Sequence, residues 1–330
     1  MSLAKRLDML ARLRSYMLGN DPTWLAAKEK AFQHNGWFTP AFIDTAIQNI
    51  AGFLEPSQLR QWLGKYPVPA AQPSPKIIGL ILSGNIPMAG IYDFICVYLS
   101  GHYQRIRLSP KDEVLLKHLV QTMSSWDDDI AGQISFHDML RGCDAYVGAG
   151  NLAPGPLAQY FSKYPCIIRT ATRREAMLDG NESREELELL ADDVFTYFGQ
   201  GCLNVTRVRV PRNYDFIPLL KALEKYQHLV DHNKYMNNYD YQLAMLILNK
   251  EFYMTNGCIL LTESASVPSP IARLNYGYYD DGMAVFNEGQ GLVSGKGLSG
   301  NGFVPLGQAG RSIICEELND MDTLKFLLDL

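Results

Sequence analysis

An α/β protein with a doubly wound, mostly parallel sheet is the fold class that this 330-residue sequence predicts, and three observations carry the prediction. Four short apolar runs are each followed by a helical pattern, the signature of consecutive βαβ units. The stretch YPVPAAQPSP at 66–75 places four prolines in ten residues, so neither a helix nor a central strand can cross it. The length itself calls for about two lobes, at roughly 150 residues each.

Before the proline-rich break the pattern is helical. LAKRLDMLARLRSYML carries an apolar stripe at helical spacing, and Thr39-Pro40 before AFIDTAIQNIAGFL reads as a capped helix start. After the break, KIIGLILSG (76–84) is the first predicted strand, with the turn Asn85-Ile86-Pro87 and the helix MAGIYDFICVYLSG behind it. YQRIRLS (103–109) is the second, followed by DEVLLKHLVQTMSSW, where Asp112 and Glu113 suit the positive end of a helix. DAYVGAGN (144–151) is the third and runs into PGPLAQYFSKYP; CIIRTATRREAML (166–178) is read as a fourth, single strand before the helix ESREELELLADDVFTYFG. Beyond Cys202 come a strand at 204–211, a helix DFIPLLKALEKYQHLV, the Tyr/Asn-rich HNKYMNNYDYQLAMLILN and further strands around Gly257–Thr262. The Gly-rich segment 287–310 is expected to be a long loop, with DTLKFLLDL resuming regular structure.

Composition excludes several classes. Net charge is −5, and the 30 basic residues are scattered rather than gathered into a phosphate-neutralising stripe, so nucleic acid is not an expected partner. The N-terminal run carries charges where a signal peptide needs an apolar core. The best apolar run, Ile86 to Leu99, is interrupted by Pro87 and Asp93. A cytoplasmic protein with no membrane span is therefore expected. The six cysteines, at 96, 143, 166, 202, 258 and 315, form no CxxC pair and no zinc spacing, so no metal site is expected and the thiols stay reduced.

Candidate chemistry starts at Gln200-Gly201-Cys202-Leu203-Asn204, where a cysteine beside a glycine at a helix end has little side-chain cover and suits a nucleophile. The bland alternative is a small buried hydrophobe, which Cys96 and Cys258 in their apolar runs fit better. Asn85, after Ser83-Gly84 at a strand end, is an amide placed to donate to an oxyanion, or simply a turn residue. Gly148-Ala149-Gly150-Asn151 could admit a pyrophosphate at a helix N-terminus, although the full GxGxxG spacing is missing. In a doubly wound sheet, ligands sit outside the carboxyl ends of the strands, which makes 84–90, 107–112 and 148–155 the candidate cofactor loops. Asp127–Asp129 reads as a solvated loop, and of Asp192 and Asp193 at least one is expected to be exposed.

With these pieces in place, the chain resembles the LuxC-like acyl-CoA reductases, the fatty acid reductases of bioluminescence systems and their relatives, a branch of the aldehyde dehydrogenase superfamily. The resemblance runs from about residue 76 onward and rests on LSGNIPMAG (82–90), YFSKYPCIIRTATRREAMLDGNES (160–183), DDVFTYFGQGCLNV (192–205) and HNKYMNNYDYQLA (232–244). It implies an aldehyde dehydrogenase-like fold, with a helical segment 1–65, a Rossmann-type nicotinamide cofactor domain 76–201 and an α/β catalytic domain 202–310. The C-terminal segment 311–330 would return to the cofactor domain. It makes Cys202 the acyl-accepting nucleophile and Asn85 the amide that helps bind the thioester oxygen. Gly84, Arg107, Ser109, Gly148 and Gly150 fall at cofactor positions, and Arg107 favours the 2′-phosphate of NADPH over NADH. Ala149 departs from the superfamily turn. The glutamate that activates hydrolytic water in oxidative relatives has no clear match, Glu182 lying in the region without the motif.

The implied reaction is NADPH-dependent reduction of acyl-CoA to aldehyde through a Cys202 thioester, with self-association into a homo-oligomer left open. Two other classes stay in view. A cysteine acyltransferase or thioesterase would use the same nucleophile with a nearby base and no nucleotide, and a degenerate binding protein would keep the fold alone.

Overall fold

The computed structural model describes residues 1–149, 161, 163–169, 174–279, 292–294, 303–309 and 322–330. The chain separates into two compact units, one of Met1–Ala171 with Asn319–Leu330 and one of Thr172–Leu318.

In the first unit, helices Leu3–Leu18, Pro22–His34, Pro40–Phe53 and Pro56–Leu63 precede the sheet. Their starts are written in the sequence. Ser2, Asp21, Thr39 and Glu55 each accept backbone N–H bonds at the cap, and in the last three a proline follows where no donor is needed. The sheet is parallel in the order β3-β2-β1-β4-β5, built from β1 (Ile77–Ile81), β2 (Tyr103–Arg107), β3 (Ile134–Phe136), β4 (Ala145–Ala149) and β5 (Cys166–Arg169). That order reverses between β1 and β4, which is where a doubly wound sheet opens its ligand crevice. Helix Ile91–Ser100, after β1, is buried along its whole length.

The termini of this unit are tied by buried polar bonds. Arg6, fully buried, donates to the carbonyls of Tyr98 (3.3 Å) and Leu99 at the end of helix Ile91–Ser100. Asp93 in that helix accepts from Arg169 of β5 at 2.7 Å and from Thr323 Oγ1 at 3.3 Å, and Arg169 also donates to Thr323. His102 Nδ1 accepts from Lys76 N and its Nε2 donates to Leu327 O at 2.8 Å, so helix Thr323–Leu328 is held from two directions. Burial lowers the pKa of His102, in keeping with a neutral ring.

The second unit contains a seven-stranded sheet in the order β12-β11-β6-β7-β10-β9-β8. Its strands are β6 (Arg174–Met177), β7 (Val205–Pro211), β8 (Met254–Thr255), β9 (Leu260–Glu263), β10 (Arg273–Tyr279), β11 (Leu292–Ser294) and β12 (Phe303–Pro305). Every pairing is parallel except β8 with β9. Glu175, fully buried in β6, accepts from Arg207 (3.1 Å) and Arg209, two alternate residues of β7. On the other side of β7, Gly277 leaves room for this cluster, since a Cβ there would lie 2.5 Å from Arg207 Nη2.

Two expectations are corrected. The run 166–178 is two strands in two sheets: β5 pairs with β4, and β6 pairs with β7. The run holds no glycine, proline or asparagine to mark a turn, so its sequence could not reveal a change of sheet. The compact units part at Thr172, because β6 and helix Arg184–Phe195 pack with β7. The Gly-rich 287–310 contributes two strands, β11 and β12, where a loop was expected. The expected helix PGPLAQYFSKYP lies almost wholly outside the described residues, as do Gly150, Asn151 and Cys315.

Candidate functional site

In the first unit, the carboxyl edge of the sheet gathers the sequence-predicted cofactor positions. Ile81, the last residue of β1, is in register with Arg107 on one side and Gly148 on the other. Arg107 is exposed at this level. Gly148 lies tight against its neighbour, since a Cβ there would stand 3.0 Å from both Cβ and O of Ile81. Gly84 permits an even closer approach: its Cβ would come 2.5 Å from Ser109 Oγ and 3.2 Å from Asp112 Cβ. The loop after β1 therefore packs directly on the loop after β2. Asn85 is half-buried, and its Oδ1 accepts from Ser83 Oγ at 2.9 Å, which orients the amide.

Asp112 is the residue whose role the sequence concealed. Rather than capping the helix that follows it, Asp112 turns inward, is buried, and accepts the Met88 amide at 2.6 Å and that of Ala89. Met88 sits at φ 54°, in the left-handed region that a non-glycine residue occupies only when its surroundings hold it there. Asp112 thus fixes the turn immediately after Asn85. Glu113 is left to pair with Lys117 at 2.6 Å.

Burial pushes the Asp112 carboxyl up to about 7, against the opposing pull of the two amides. Because the folded value exceeds the unfolded one, the native state binds the extra proton between about pH 4 and 7, and stability falls as pH rises through that window. Between pH 5 and pH 8 the loss from this group is about 2–3 kcal/mol. Urea melts of Asp112→Asn are expected to lack this decline, because the amide oxygen still accepts from Met88 without carrying charge.

In the second unit, Cys202 is half-buried on the connection from helix Arg184–Phe195 to β7. The connection is held rather than loose. Tyr197, Phe198 and Gly199 occupy the left-handed region in succession, at φ 55°, 57° and 71°, and two of them lack the freedom of glycine. Such residues cost on the order of 1–3 kcal/mol each and persist only where packing overrides them. Here Tyr197 and Phe198 are buried, and the Phe198 ring lies 4.6 Å from His232 and 5.7 Å from Tyr235.

Asn204 closes the turn around the cysteine. Its Oδ1 accepts Gly201 N at 2.7 Å, while its Nδ2 donates to the carbonyls of Asp193 (2.8 Å) and Thr196 (3.0 Å). A Cβ on Gly201 would meet that same oxygen at 2.7 Å, so the residue before Cys202 must be glycine for this closure. Buried Asp193 in turn accepts Gly307 N (2.7 Å) and Ala309 N (2.9 Å), whereas Asp192 takes Tyr226 Oη and Lys225 near the surface. The adjacent aspartates therefore divide into one buried and one half-exposed, and the Gly-rich region is pinned to the helix that leads to Cys202. Nothing in the sequence around Asp193 or Asn204 distinguished them from ordinary helix and loop residues.

Other candidates resolve as structural groups. Cys96 and Cys258 are fully buried, and burial pushes the Cys258 thiol up to about 12. Glu182 accepts the amides of Asp179 (2.5 Å) and Gly180 (3.1 Å), holding the turn before helix Arg184–Phe195. His232 Nδ1 accepts Tyr235 N as a helix cap. Among the described residues there is no grouping suited to a metal ion and no helix long and apolar enough to cross a membrane.

A sheet of order β3-β2-β1-β4-β5 and a second, seven-stranded sheet with a cysteine leading into its fourth strand define an aldehyde dehydrogenase-like α/β protein. Solved structures with this fold include an aldehyde dehydrogenase from Mycobacterium tuberculosis complexed with NAD+, at 12% identity and TM-score 0.62, covering 85% of this chain and 69% of that one. The gamma-glutamyl-gamma-aminobutyraldehyde dehydrogenase of Burkholderia cenocepacia J2315 matches at 13% identity and TM-score 0.64, over 90% and 73% of the two chains. An NAD-dependent benzaldehyde dehydrogenase from Corynebacterium glutamicum matches at 11% and 0.61, over 85% and 72%. No family model and no curated protein matches the chain.

Proposed function

We propose that this chain is an acyl-CoA reductase of the LuxC-like kind, reducing a fatty acyl thioester to an aldehyde with NADPH through a Cys202 acyl-enzyme. The observation that carries the reading is the turn bearing Cys202, which is strained, buried at its base and closed by Asn204, in an aldehyde dehydrogenase fold. A packing cysteine needs no such construction, and the fully buried Cys96, in the middle of helix Ile91–Ser100, has none.

The first unit offers residues that fit a nicotinamide dinucleotide. Arg107 is an exposed cation at the carboxyl edge, level with Gly148, whose lack of a side chain lets β4 lie close against Ile81, and the neighbouring Mycobacterium enzyme is one that holds NAD+. In the proposed assignment, Gly84, Ser109, Gly148 and Gly150 line the dinucleotide and Arg107 receives the 2′-phosphate. The bound dinucleotide supplies the hydride. The Cys202 thiolate attacks the acyl-CoA carbonyl, forming the C–S bond through a tetrahedral oxyanion that collapses to the acyl-enzyme and expels CoA as a thiolate, which takes up a proton. The resemblance gives the donor roles at that oxyanion to Asn85 and the Cys202 amide. Hydride addition would leave an oxyanion on the Cys202-bound carbon; its collapse re-forms the C=O bond, breaks the C–S bond and releases aldehyde with the Cys202 thiolate restored.

Reduction rather than oxidation is favoured because the water-activating glutamate of oxidative relatives has no clear match, and Glu182, which lies in its region, has its carboxylate engaged by two backbone amides. A single-turnover assay with labelled acyl-CoA tests the whole reading: a stoichiometric acyl-enzyme should form without cofactor and convert to aldehyde when NADPH is added. Steady release of free acid would make the protein a thioesterase, and no label at any chain length would make it a binding protein. Arg107→Ala is expected to narrow the NADPH-to-NADH affinity ratio about tenfold, the value of one charge-assisted hydrogen bond, in calorimetric titrations. An unchanged ratio would remove Arg107 from the site.

A further inference from the structure

Between helix Pro22–His34 and helix Val114–Trp126, both in the first unit, lies a cavity of about 420 Å³, within the size range of small-molecule sites. On the first helix the other charged side chains are engaged: Lys28 pairs with Asp44 at 2.9 Å, Glu29 accepts from Gln33 at 2.8 Å, and His34 Nε2 bonds Pro110 O at 2.6 Å. Lys30, which lines the cavity, has no ion-pair or hydrogen-bond partner among the described residues. On the opposite wall Lys117 donates to Glu113 at 2.6 Å, and Glu113 is the one carboxylate of the lining. Lys117, His34 and Lys30 all act on that carboxyl and hold it below its usual value, first through the Lys117 hydrogen bond. Three basic side chains therefore converge on a single acid. On a convex helix face such lysines are ordinary solvated charges; here two helices set them on facing walls, where the concave surface focuses their excess positive charge on an incoming anion.

We propose that this cavity is a binding site for a small organic phosphate of sugar-phosphate size, its phosphate held between Lys30 and Lys117 and its organic part against Ala27, Val114 and the Gln121 amide, which complete the lining. Charge selects phosphate over carboxylate. A phosphate monoester carries close to two negative charges at neutral pH, enough to engage Lys30 and to draw Lys117 away from Glu113, whereas a monocarboxylate only trades places with Glu113. Lysine suits this role as a compact point charge with rotatable donors. The site is separate from the proposed dinucleotide positions, since none of Gly84, Arg107, Ser109 and Gly148 lines the cavity. It is also independent of the chemistry at Cys202.

Calorimetric titration of ribose 5-phosphate into the full chain tests this, with ribose as the phosphate-free control. Ribose 5-phosphate is expected to bind and ribose is not. Lys30→Ala should raise the Kd at least about tenfold, the value of one charge-assisted hydrogen bond, with an unchanged circular dichroism spectrum because Lys30 is exposed. Glu113→Gln should lower the Kd about threefold or more, since it removes the competing carboxylate and frees Lys117. A loss of folding would not shift the two variants in opposite directions. Arg107→Ala should leave this Kd as it is, so failure of the dinucleotide assignment and failure of this one are read separately. Absence of binding, equal binding of ribose, a Kd indifferent to Lys30→Ala, or one that Glu113→Gln leaves unmoved or raises would overturn the proposal. So would binding lost in Arg107→Ala, which would place the phosphate at the carboxyl edge of the sheet.

Discussion

Cys202→Ala is expected to abolish acyl-enzyme formation completely and to reduce acyl-CoA reduction by at least about 10⁴-fold, because no other group can replace the nucleophile. The expectation is specific to covalent chemistry. Asn85→Ala should still accumulate label, only ~100-fold more slowly, since on the proposed mechanism it removes one oxyanion donor and leaves the bond-forming atom in place. Dinucleotide binding should be intact in Cys202→Ala, measured by fluorescence titration of NADPH. A variant that retains turnover would transfer the chemistry away from Cys202.

The largest effect on stability is expected at Glu175. Its carboxylate is fully buried against Arg207 and Arg209, so Glu175→Ala takes the shared carboxylate away from two guanidinium groups in the sheet. Removing one partner of a buried ion pair costs about 3–5 kcal/mol, a large share of the total stability of a domain. Glu175→Gln keeps hydrogen-bond acceptance and should lose less. Chemical denaturation monitored in the far ultraviolet orders the three proteins; equal midpoints for wild type and Glu175→Ala would mean that the arginines find other acceptors.

How much of this was legible in the sequence depended on whether the signal was local. Helix starts at Asp21-Pro22, Thr39-Pro40 and Glu55-Pro56 are local chemistry, and the first unit's strands are apolar runs punctuated by turns. Cys202 and Asn85 stood out because glycine neighbours mark unusual backbone. Asp112, Asp193 and Asn204 did not, because their partners, Met88, Gly307 and Gly201, lie up to 114 residues away or in loops with no pattern of their own. A change of sheet inside 166–178 and two strands inside a Gly-rich stretch were illegible for the same reason: strand pairing is decided by the neighbour, not the strand.

The ties of Arg169 and His102 to Thr323 and Leu327 have a consequence for how the protein is made. The first unit is discontinuous in the chain, and all of the second unit is synthesised between its two parts. A ribosome therefore delivers the second unit whole before the helix that covers Asp93 and Arg169 exists. Until that helix arrives, a buried ion pair faces water with its third partner, Thr323, missing. The first unit begins folding first and is completed last, because its five strands all precede residue 170 while helix Thr323–Leu328 is the final element of the chain.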